Sequence, residues 1–257
     1  MDATTTPESV HWKRRGHVGW VTIDRPHRSN ALDQSARDGL AAAFAAIEQD
    51  DEVRVVVLTG AGRAFCGGVD LKEAPPTPAP LDLGTPVATP VERCTRPVVA
   101  AVNGAAVGGG FELALAADLR VASTSAFFSL TELRIGSLPG SGGTQRLFHN
   151  LPPSVAWELL LTGSRLSAAD ALHHGLVSRV FDDEYFVTEV TALVDRIAEA
   201  APLSLRAAKV AARAAVDGRA DGLALERVLW NFLAGTQDRA EGRQAFREKR
   251  PPAFEGR

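Results

Sequence analysis

The chain has few of the residues on which extracellular scaffolds and membrane proteins depend. Its 257 residues include only two cysteines, Cys66 and Cys94, which cannot form a disulfide framework in a chain of this length and suit a reducing compartment. No run approaches about 18 consecutive apolar residues, so we expect no membrane-spanning helix. The first ten residues are polar and include Asp2 and Glu8, so we expect neither a secretory signal nor a transit peptide. The sequence therefore predicts a cytoplasmic protein.

The chain also lacks an excess of positive charge. Its formal net charge is -3, so no overall attraction to nucleic acid or to an anionic membrane is expected. Hydrophobic residues make up 45% and charged residues 23%, which is ordinary for a globular protein. A chain of this length can bury a sizeable core without disulfides or metals.

Several familiar site motifs are absent. Gly60-Ala61-Gly62 is followed by Phe65 where a dinucleotide fingerprint requires a third glycine, and no Gly-Lys-Ser/Thr sequence forms a Walker A loop. Neither Ser137 nor Ser141 has the flanking glycines of a nucleophile elbow. The six histidines form no zinc-binding pattern. We therefore expect neither a metal nor a bound cofactor.

The hydrophobic pattern predicts a mixed α/β core followed by helices. A strand is predicted at 18–24, and apolar runs predict buried strands at 53–59 and 98–102. Shorter strands are expected near 119–122 and 126–129. Asp33 is placed to cap a helix that runs to about residue 49. Further helices are predicted at 109–117, 203–216, 223–234 and 238–249. Six prolines between residues 74 and 90 predict an irregular surface loop.

Two glutamates stand in segments that otherwise disfavour charge. Glu112 follows three glycines and opens an apolar run, and Glu132 lies between Phe127-Phe128 and a glycine-rich segment. Burial of an unpaired carboxylate is costly or raises its pKa, so such groups are candidates for an acid and a base. Each alone has a plain alternative: Glu112 could be a charge at a helix start, and Glu132 a surface residue.

Glycines before the predicted helix at 109–117 allow the backbone to approach a ligand and to present its N–H groups. Donors of this kind suit a developing oxyanion. Taken alone, the glycine runs are equally consistent with tight turns.

These features occur together in a known family, and the chain resembles the enoyl-CoA hydratase/isomerase (crotonase) superfamily. The resemblance covers nearly the whole length. The matching segments are 25–26 and 30–32, residues 58–72 (LTGAGRAFCGGVDLK), residues 97–110 with 112–114, residues 136–147 (GSLPGSGGTQRL) and residues 246–250.

The resemblance implies a binding site for an acyl-CoA thioester. The thioester carbonyl would lie between the backbone amides of Val69 and Gly109. Residues that would contact coenzyme A are Ala64, Gly68, Val69, Asp70, Leu71, Lys72, Gly109 and, in the tail, Lys249. Coenzyme A would be part of the substrate, so the resemblance implies no separate cofactor.

The resemblance also implies a reaction, because hydratases of the family carry both glutamates. Glu112 and Glu132 would add water to a trans-2-enoyl-CoA to give a 3-hydroxyacyl-CoA, as in fatty-acid β-oxidation. Which glutamate is acid and which is base stays open. An enoyl-CoA isomerase and a non-catalytic binder of acyl-CoA or RNA are the alternatives. Some relatives, including dehalogenases and dienoyl-CoA isomerases, carry an aspartate where this chain has Gly140. The absence of a carboxylate there argues against a dehalogenase or a dienoyl-CoA isomerase activity.

The implied fold is an α/β spiral of strand-strand-helix repeats, with a helical C-terminal region that packs on neighbouring subunits. We expect residues 1–200 to form the spiral core with the active site and residues 201–257 to form the oligomerisation region. The family implies a homotrimer or a hexamer, with no membrane and no nucleic acid as partner. The proline-rich segment departs from the family pattern, so the acyl group is not predicted.

Overall fold

The computed structural model describes residues 9–72 and 84–257, which contain ten strands and ten α-helices. The strands are β1 Val10–Arg15, β2 Val18–Ile23, β3 Val55–Gly60, β4 Ala64–Cys66, β5 Val98–Val102, β6 Ala105–Val107, β7 Leu119–Ser123, β8 Phe127–Ser129, β9 Leu166–Ser167 and β10 Arg179–Phe181. The helices are α1 Gln34–Gln49, α2 Thr89–Arg93, α3 Gly109–Ala116, α4 Gly143–Asn150, α5 Pro153–Thr162, α6 Ala168–His173, α7 Phe186–Ala198, α8 Pro202–Val216, α9 Gly222–Ala234 and α10 Gln237–Glu248. Short 3₁₀ helices lie at Pro26–Arg28 and Glu132–Ile135.

The strands form two sheets whose orders follow a repeat along the chain. The first sheet has the order β1-β2-β3-β5-β7-β10, and the second has the order β4-β6-β8-β9. The pairs β3-β4, β5-β6 and β7-β8 each place one strand in each sheet, and a helix follows each pair. Successive repeats therefore stack beside one another, which confirms the predicted spiral of strand-strand-helix turns.

The first sheet is covered on both faces, as the apolar runs predicted. In β3, Val56 and Leu58 pack into a core that includes α1 and α3, whereas Val55 and Val57 pack against α7. This follows from the alternation of side chains along a strand. Five of these strands, from β2 to β10 in the sheet order, pair in parallel, and such strands need apolar cover on both sides.

The helix starts and ends also agree with the sequence. Asp33 caps α1, where its carboxylate accepts a hydrogen bond of 2.8 Å from the Ala36 amide. The proline-rich loop is confirmed only in part of its length, since residues 73–83 lie outside the described residues. Within the remainder, Thr89–Arg93 forms the short helix α2.

Three helices, α8 to α10, end the chain. They begin at Pro202, close to the boundary predicted between core and oligomerisation region; the division into two domains stays a prediction. No helix in the described ranges combines the length and the apolar character needed to cross a membrane.

Candidate active site

Three loops meet at one edge of the second sheet. Strands β4, β6 and β8 run parallel, so their C-terminal ends lie side by side. Val69 lies three residues beyond β4, Gly109 begins α3 just after β6, and Glu132 lies three residues beyond β8. Glu112 stands in the first turn of α3. The sheet therefore brings together residues that are up to 63 positions apart in the chain.

Two backbone amides are directed to this edge. Leu32 donates from its amide to the Gly68 carbonyl at 2.7 Å and accepts from the Asp70 amide at 3.1 Å. Because successive peptide groups of an extended segment point to opposite sides, the Val69 N–H points away from Leu32. The Gly109 N–H belongs to the first turn of α3, where no intrahelical acceptor exists. Within residues 9–72 and 84–257 we find no protein acceptor for either amide.

The two amide-bearing segments are in close contact. A Cβ placed on Gly68 would lie 3.3 Å from the Gly109 nitrogen and 2.7 Å from the Val107 carbonyl oxygen. A side chain at position 68 would therefore force the segments apart, so the glycine keeps the two donors together.

Glu112 is buried and held by main-chain donors. Its side chain oxygen Oε1 accepts hydrogen bonds from the Ser141 amide at 2.6 Å and the Gly143 amide at 2.8 Å. Burial raises the pKa of Glu112, while the Gly143 and Ser141 amides and the charge of Arg146 act in the opposite direction. The carboxylate is thus fixed through one oxygen.

Glu132 has a different environment. Its Oε1 comes within 2.8 Å of the place where a Cβ on Gly108 would stand, so the side chain lies directly against the backbone before α3. Its Oε2 is buried and has no hydrogen-bond partner within the described part of the chain. Burial raises the pKa of Glu132, and the negative charge of Glu112 raises it further.

These residues border one cavity of about 370 Å³. Glu112, Glu132, Val69 and Gly109 all line it, so the structure brings the four predicted residues together. The remaining wall combines aliphatic and hydroxyl side chains, among them Leu71, Val87, Ile135, Leu138, Thr85, Thr131, Ser137 and Ser141. Of the described residues that line the cavity, Arg37 is the only basic one.

The residues predicted to contact coenzyme A divide into two groups. Gly68 and Leu71 line the cavity together with Val69 and Gly109, whereas Ala64, Asp70, Lys72 and Lys249 do not. Asp70 accepts from the Lys72 amide at 3.1 Å and from Arg25 at 3.3 Å. These contacts lower the pKa of Asp70, with the Lys72 amide as the main cause.

Lys249 is exposed and ends α10 in a left-handed conformation, apart from the cavity within this chain. Its contact with coenzyme A stays a prediction.

Sequence reasoning missed the groups that hold Glu112. The segment 136–143 was identified as glycine-rich, but main-chain donors have no side-chain signature, so the Ser141 and Gly143 amides were not assigned a role. Arg37 and Arg146 were missed as well, because each lies in a helix and only tertiary packing brings it to this region.

Cys66 lies at the end of β4, next to the cavity-lining segment 67–69. Burial raises the pKa of its thiol to about 12, so it stays protonated at neutral pH. Cys66 therefore packs as a small apolar residue and is not a candidate nucleophile.

Comparison with known proteins agrees with this geometry. A family model described as enoyl-CoA hydratase/isomerase matches residues 13–257. The (E)-benzylidenesuccinyl-CoA hydratase of Thauera aromatica is 44% identical over 247 residues, which cover 93% of this chain and 96% of the relative. The carnitinyl-CoA dehydratase of Proteus mirabilis is 40% identical over 97% of this chain and 99% of its own length.

Solved structures agree as well. A crystal structure of enoyl-CoA hydratase from Mycobacterium tuberculosis superposes with a TM-score of 0.90 at 34% identity, and the match covers 97% of this chain and 100% of that one. The chain belongs to the enoyl-CoA hydratase/isomerase family, whose members are enzymes that act on acyl-CoA thioesters.

Proposed function

We propose that the protein is an enoyl-CoA hydratase that adds water to a trans-2-enoyl-CoA and gives a 3-hydroxyacyl-CoA. One observation carries the proposal: two carboxylates and two backbone amides with no protein acceptor in the described ranges border the same cavity. The amides of Val69 and Gly109 suit the thioester oxygen, which gains negative charge during addition. The carboxylates suit the proton transfers that water addition requires.

The environments of the two glutamates support a division of roles. Glu112 accepts two amide hydrogen bonds and lies near Arg146, which favours its ionised form, so it is the proposed base. Glu132 has a buried oxygen without a hydrogen-bond partner among the described residues. Burial and the charge of Glu112 both favour its protonated form, so it is the proposed acid. Two interacting carboxyls of this kind share one proton between them.

The proposed step balances without any other reactant. Glu112 takes a proton from water as the water oxygen bonds to the β-carbon, and the carbon-carbon π electrons move toward the α-carbon and the thioester oxygen. The Val69 and Gly109 amides hold that oxygen while Glu132 delivers its proton to the α-carbon. Transfer of the proton from Glu112 to Glu132 then restores both groups. Every group used belongs to the chain, so we propose that the reaction requires no resident cofactor.

Two observations favour hydration over isomerisation. The relatives compared above are named a hydratase and a dehydratase, and these names describe addition and removal of water at a CoA thioester. The cavity also contains a second carboxyl besides Glu112, whereas a double-bond shift needs only one group to move a proton. Gly140 lines the cavity without a carboxylate, which disfavours chemistry that depends on an acid at that position.

The acyl group is proposed to be apolar near the double bond, because Val87, Ile135 and Leu138 line the cavity. Arg37, whose guanidinium donates to the Leu32 carbonyl at 3.2 Å, adds positive charge to the wall. Contacts of coenzyme A with Ala64, Asp70, Lys72 and Lys249 belong to the same proposal.

We further propose that the protein works in the cytoplasm as a homotrimer or as a hexamer of two trimers, in a pathway such as fatty-acid β-oxidation. The apolar residues exposed on α9 support self-association. A non-catalytic role in binding RNA is disfavoured by the net charge of -3.

Crotonyl-CoA provides the direct test of activity. Loss of its conjugated thioester absorbance, with 3-hydroxybutyryl-CoA as product, would support hydration. Unreactive crotonyl-CoA together with double-bond migration in a 3-enoyl-CoA would contradict it and favour an isomerase. A panel of thioesters with alkyl, aryl, carboxylate and quaternary ammonium ends then identifies the acyl group through kcat/KM.

A further inference from the structure

Arg146 of α4 joins three parts of the molecule beside the proposed active site. Its Nη1 donates to the Ser141 carbonyl at 2.7 Å, and its Nη2 forms an ion pair of 2.7 Å with Glu92 of α2. Its backbone amide donates to the Gly142 carbonyl at 2.8 Å. The Arg146 side chain is 17% exposed, whereas the Glu92 side chain is 47% exposed. Arg146 is therefore fixed mainly through the loop and is oriented by Glu92.

The loop that Arg146 holds is the one that grips Glu112. Ser141 and Gly143 donate their amides to Glu112 Oε1, and the Arg146 guanidinium contacts the carbonyl of the same Ser141 residue. The Ser141 hydroxyl also accepts from the Val87 amide at 3.0 Å. Displacement of the Ser141 peptide would therefore change the position of the carboxylate as well as the cavity wall at Val87.

The close approach of Arg146 depends on Gly142. This residue has a φ of +94°, and a Cβ placed on it would lie 2.1 Å from Arg146 Nη1. A residue other than glycine would be strained at this φ, and its Cβ would displace the end of the Arg146 side chain. The loop is thus shaped to receive the guanidinium, which is not expected of an arginine that is merely solvated.

We infer that Arg146 is a positioning residue for Glu112: it fixes the Ser141-Gly142-Gly143 loop so that two amides hold one oxygen of the base, and Glu92 fixes Arg146. The inference rests on the proposed function for its kinetic consequence, since Glu112 is the proposed base. The claim that Arg146 holds the Glu112 carboxylate in place does not depend on the reaction.

The charged groups around Glu112 determine the sign of the expected pH effect. Arg146 of α4 favours the ionised carboxylate, and Glu132 disfavours it. Glu92 and Arg93 lie on α2, where Glu92 pairs with Arg146. Strands β4, β5 and β6, which also pack near α3, contain no charged residue. Removal of the Arg146 charge should therefore make Glu112 harder to ionise.

Three substitutions test the inference through kinetics. In Arg146→Gln we expect kcat to fall by about tenfold to a hundredfold, as misplacement of a catalytic group does, with KM changed by less than about threefold. The acid limb of the kcat profile should move to higher pH. Arg146→Lys keeps the charge without the planar fork, so it should lose less activity and keep the acid limb near its wild-type position. Glu92→Gln removes a negative charge, so in this variant the acid limb of the kcat profile should not move to higher pH.

Arg213→Gln is the matched control. Arg213 donates to the Ala116 carbonyl at 2.7 Å and pairs with Asp118 at 2.9 Å, so its contacts are of the same kind as those of Arg146 and involve the other end of α3. It does not line the cavity. This variant should lose stability without a shift of the acid limb.

The carboxyl titration of Glu112 separates this inference from the proposed function. Carbon-13 NMR of glutamate-labelled protein, with Glu112→Gln for assignment, reports the Glu112 pKa without substrate. We expect that pKa to rise in Arg146→Gln and to stay near wild type in Arg146→Lys and Arg213→Gln. An unchanged Glu112 pKa in Arg146→Gln, or kinetic losses equal to those of Arg213→Gln, would overturn the inference. A wild-type enzyme that hydrates no thioester would instead overturn the proposed function and leave the titration valid.

Discussion

Glu112 and Glu132 share a cavity but differ in what holds each carboxyl group. Glu112 has an oxygen bound by two amides, whereas Glu132 has an oxygen without a hydrogen-bond partner in the described ranges. A buried polar atom without a partner lowers stability, so we expect Glu132 to lower the free energy of unfolding of the protein.

We predict that Glu132→Gln raises the stability of the protein by an amount that depends on pH. The pKa of Glu132 is raised in the folded protein, whereas a glutamate in an unfolded chain has a pKa of about 4.3. When the pH is above that unfolded pKa, ionisation of Glu132 therefore destabilises the native state. The variant should therefore be more stable than the wild type at pH 8, and the difference should shrink as the pH falls toward that value. We expect a gain in Tm of about 2–4 °C, which corresponds to about 1 kcal/mol in a chain of this size.

Thermal unfolding of both proteins at several pH values checks this prediction. A difference in Tm that stays constant with pH would show that ionisation of Glu132 is not its cause. A variant less stable than the wild type at pH 8 would contradict the strained environment assigned to this residue.

At this scale the sequence pattern pointed to the two glutamates and the family resemblance to the two amides, but neither indicated the groups that hold Glu112. Glu112 and Glu132 are visible because a charge in an apolar or glycine-rich segment is unusual. Arg146 is not visible, because nothing in residues 143–150 distinguishes an arginine that holds a loop from one that faces solvent. The distinction depends on contacts with Ser141 and Glu92, which lie far from one another in the chain.

At the scale of elements, the site depends on how closely α3 lies against β4. A Cβ placed on Gly110 would lie 2.1 Å from the Cys66 carbonyl oxygen and 2.7 Å from the Cys66 carbonyl carbon. These are backbone atoms, so the helix itself must move if position 110 receives a side chain. The same helix carries both Gly109 and Glu112, so its position determines the geometry of donor and base together.

We therefore predict that Gly110→Ala lowers kcat by about a hundredfold, as misplacement of catalytic groups by about 1 Å does. It should also lower the free energy of unfolding by about 1–3 kcal/mol, the usual range for overpacking. Turnover and denaturant unfolding measure the two effects.

Gly222→Ala is the control for this substitution, because a Cβ at position 222 meets no atom closer than 3.9 Å. Its activity should equal that of the wild type. Full activity in Gly110→Ala would show that the close contact between α3 and β4 does not control the site.

Among the elements, long periodic helices were predicted well, whereas of the strands with two or three residues only β8 was predicted. α1, α8, α9 and α10 begin and end within one residue of the prediction, because each has a helical period. β4, β6 and β9 have three, three and two residues, which is too short for a period to be read. β4 and β6 nevertheless position Val69 and Gly109. The sheet that contains them could therefore be predicted only from the family resemblance.

At the scale of the whole molecule, α9 leaves a large apolar surface exposed. None of its 13 residues is buried, although the helix contains Leu223, Val228, Trp230 and Phe232. Leu223 is 83% and Phe232 58% exposed. A surface of this kind usually marks a contact with another protein surface. The predicted homo-oligomer supplies such a contact through further copies of the same chain.

We predict that Phe232→Glu weakens this self-association. The wild type should sediment as a trimer or a hexamer, and the variant should shift to smaller species, because a charge in an apolar contact must be desolvated. Sedimentation velocity at several concentrations measures the change. Glu226→Lys, at a polar position of the same helix, is the control and should keep the wild-type mass. A monomeric wild type would contradict the prediction.

The central claim is that Glu112 and Glu132 together add water to an enoyl-CoA, and isotope incorporation tests it most directly. With crotonyl-CoA in water enriched in heavy oxygen and deuterium, the wild type should place heavy oxygen on the β-carbon and deuterium on the α-carbon. Glu112→Gln and Glu132→Gln should each slow both incorporations by at least about a hundredfold, while binding of coenzyme A is kept. Deuterium incorporation without heavy oxygen, or undiminished rates in both variants, would contradict the account.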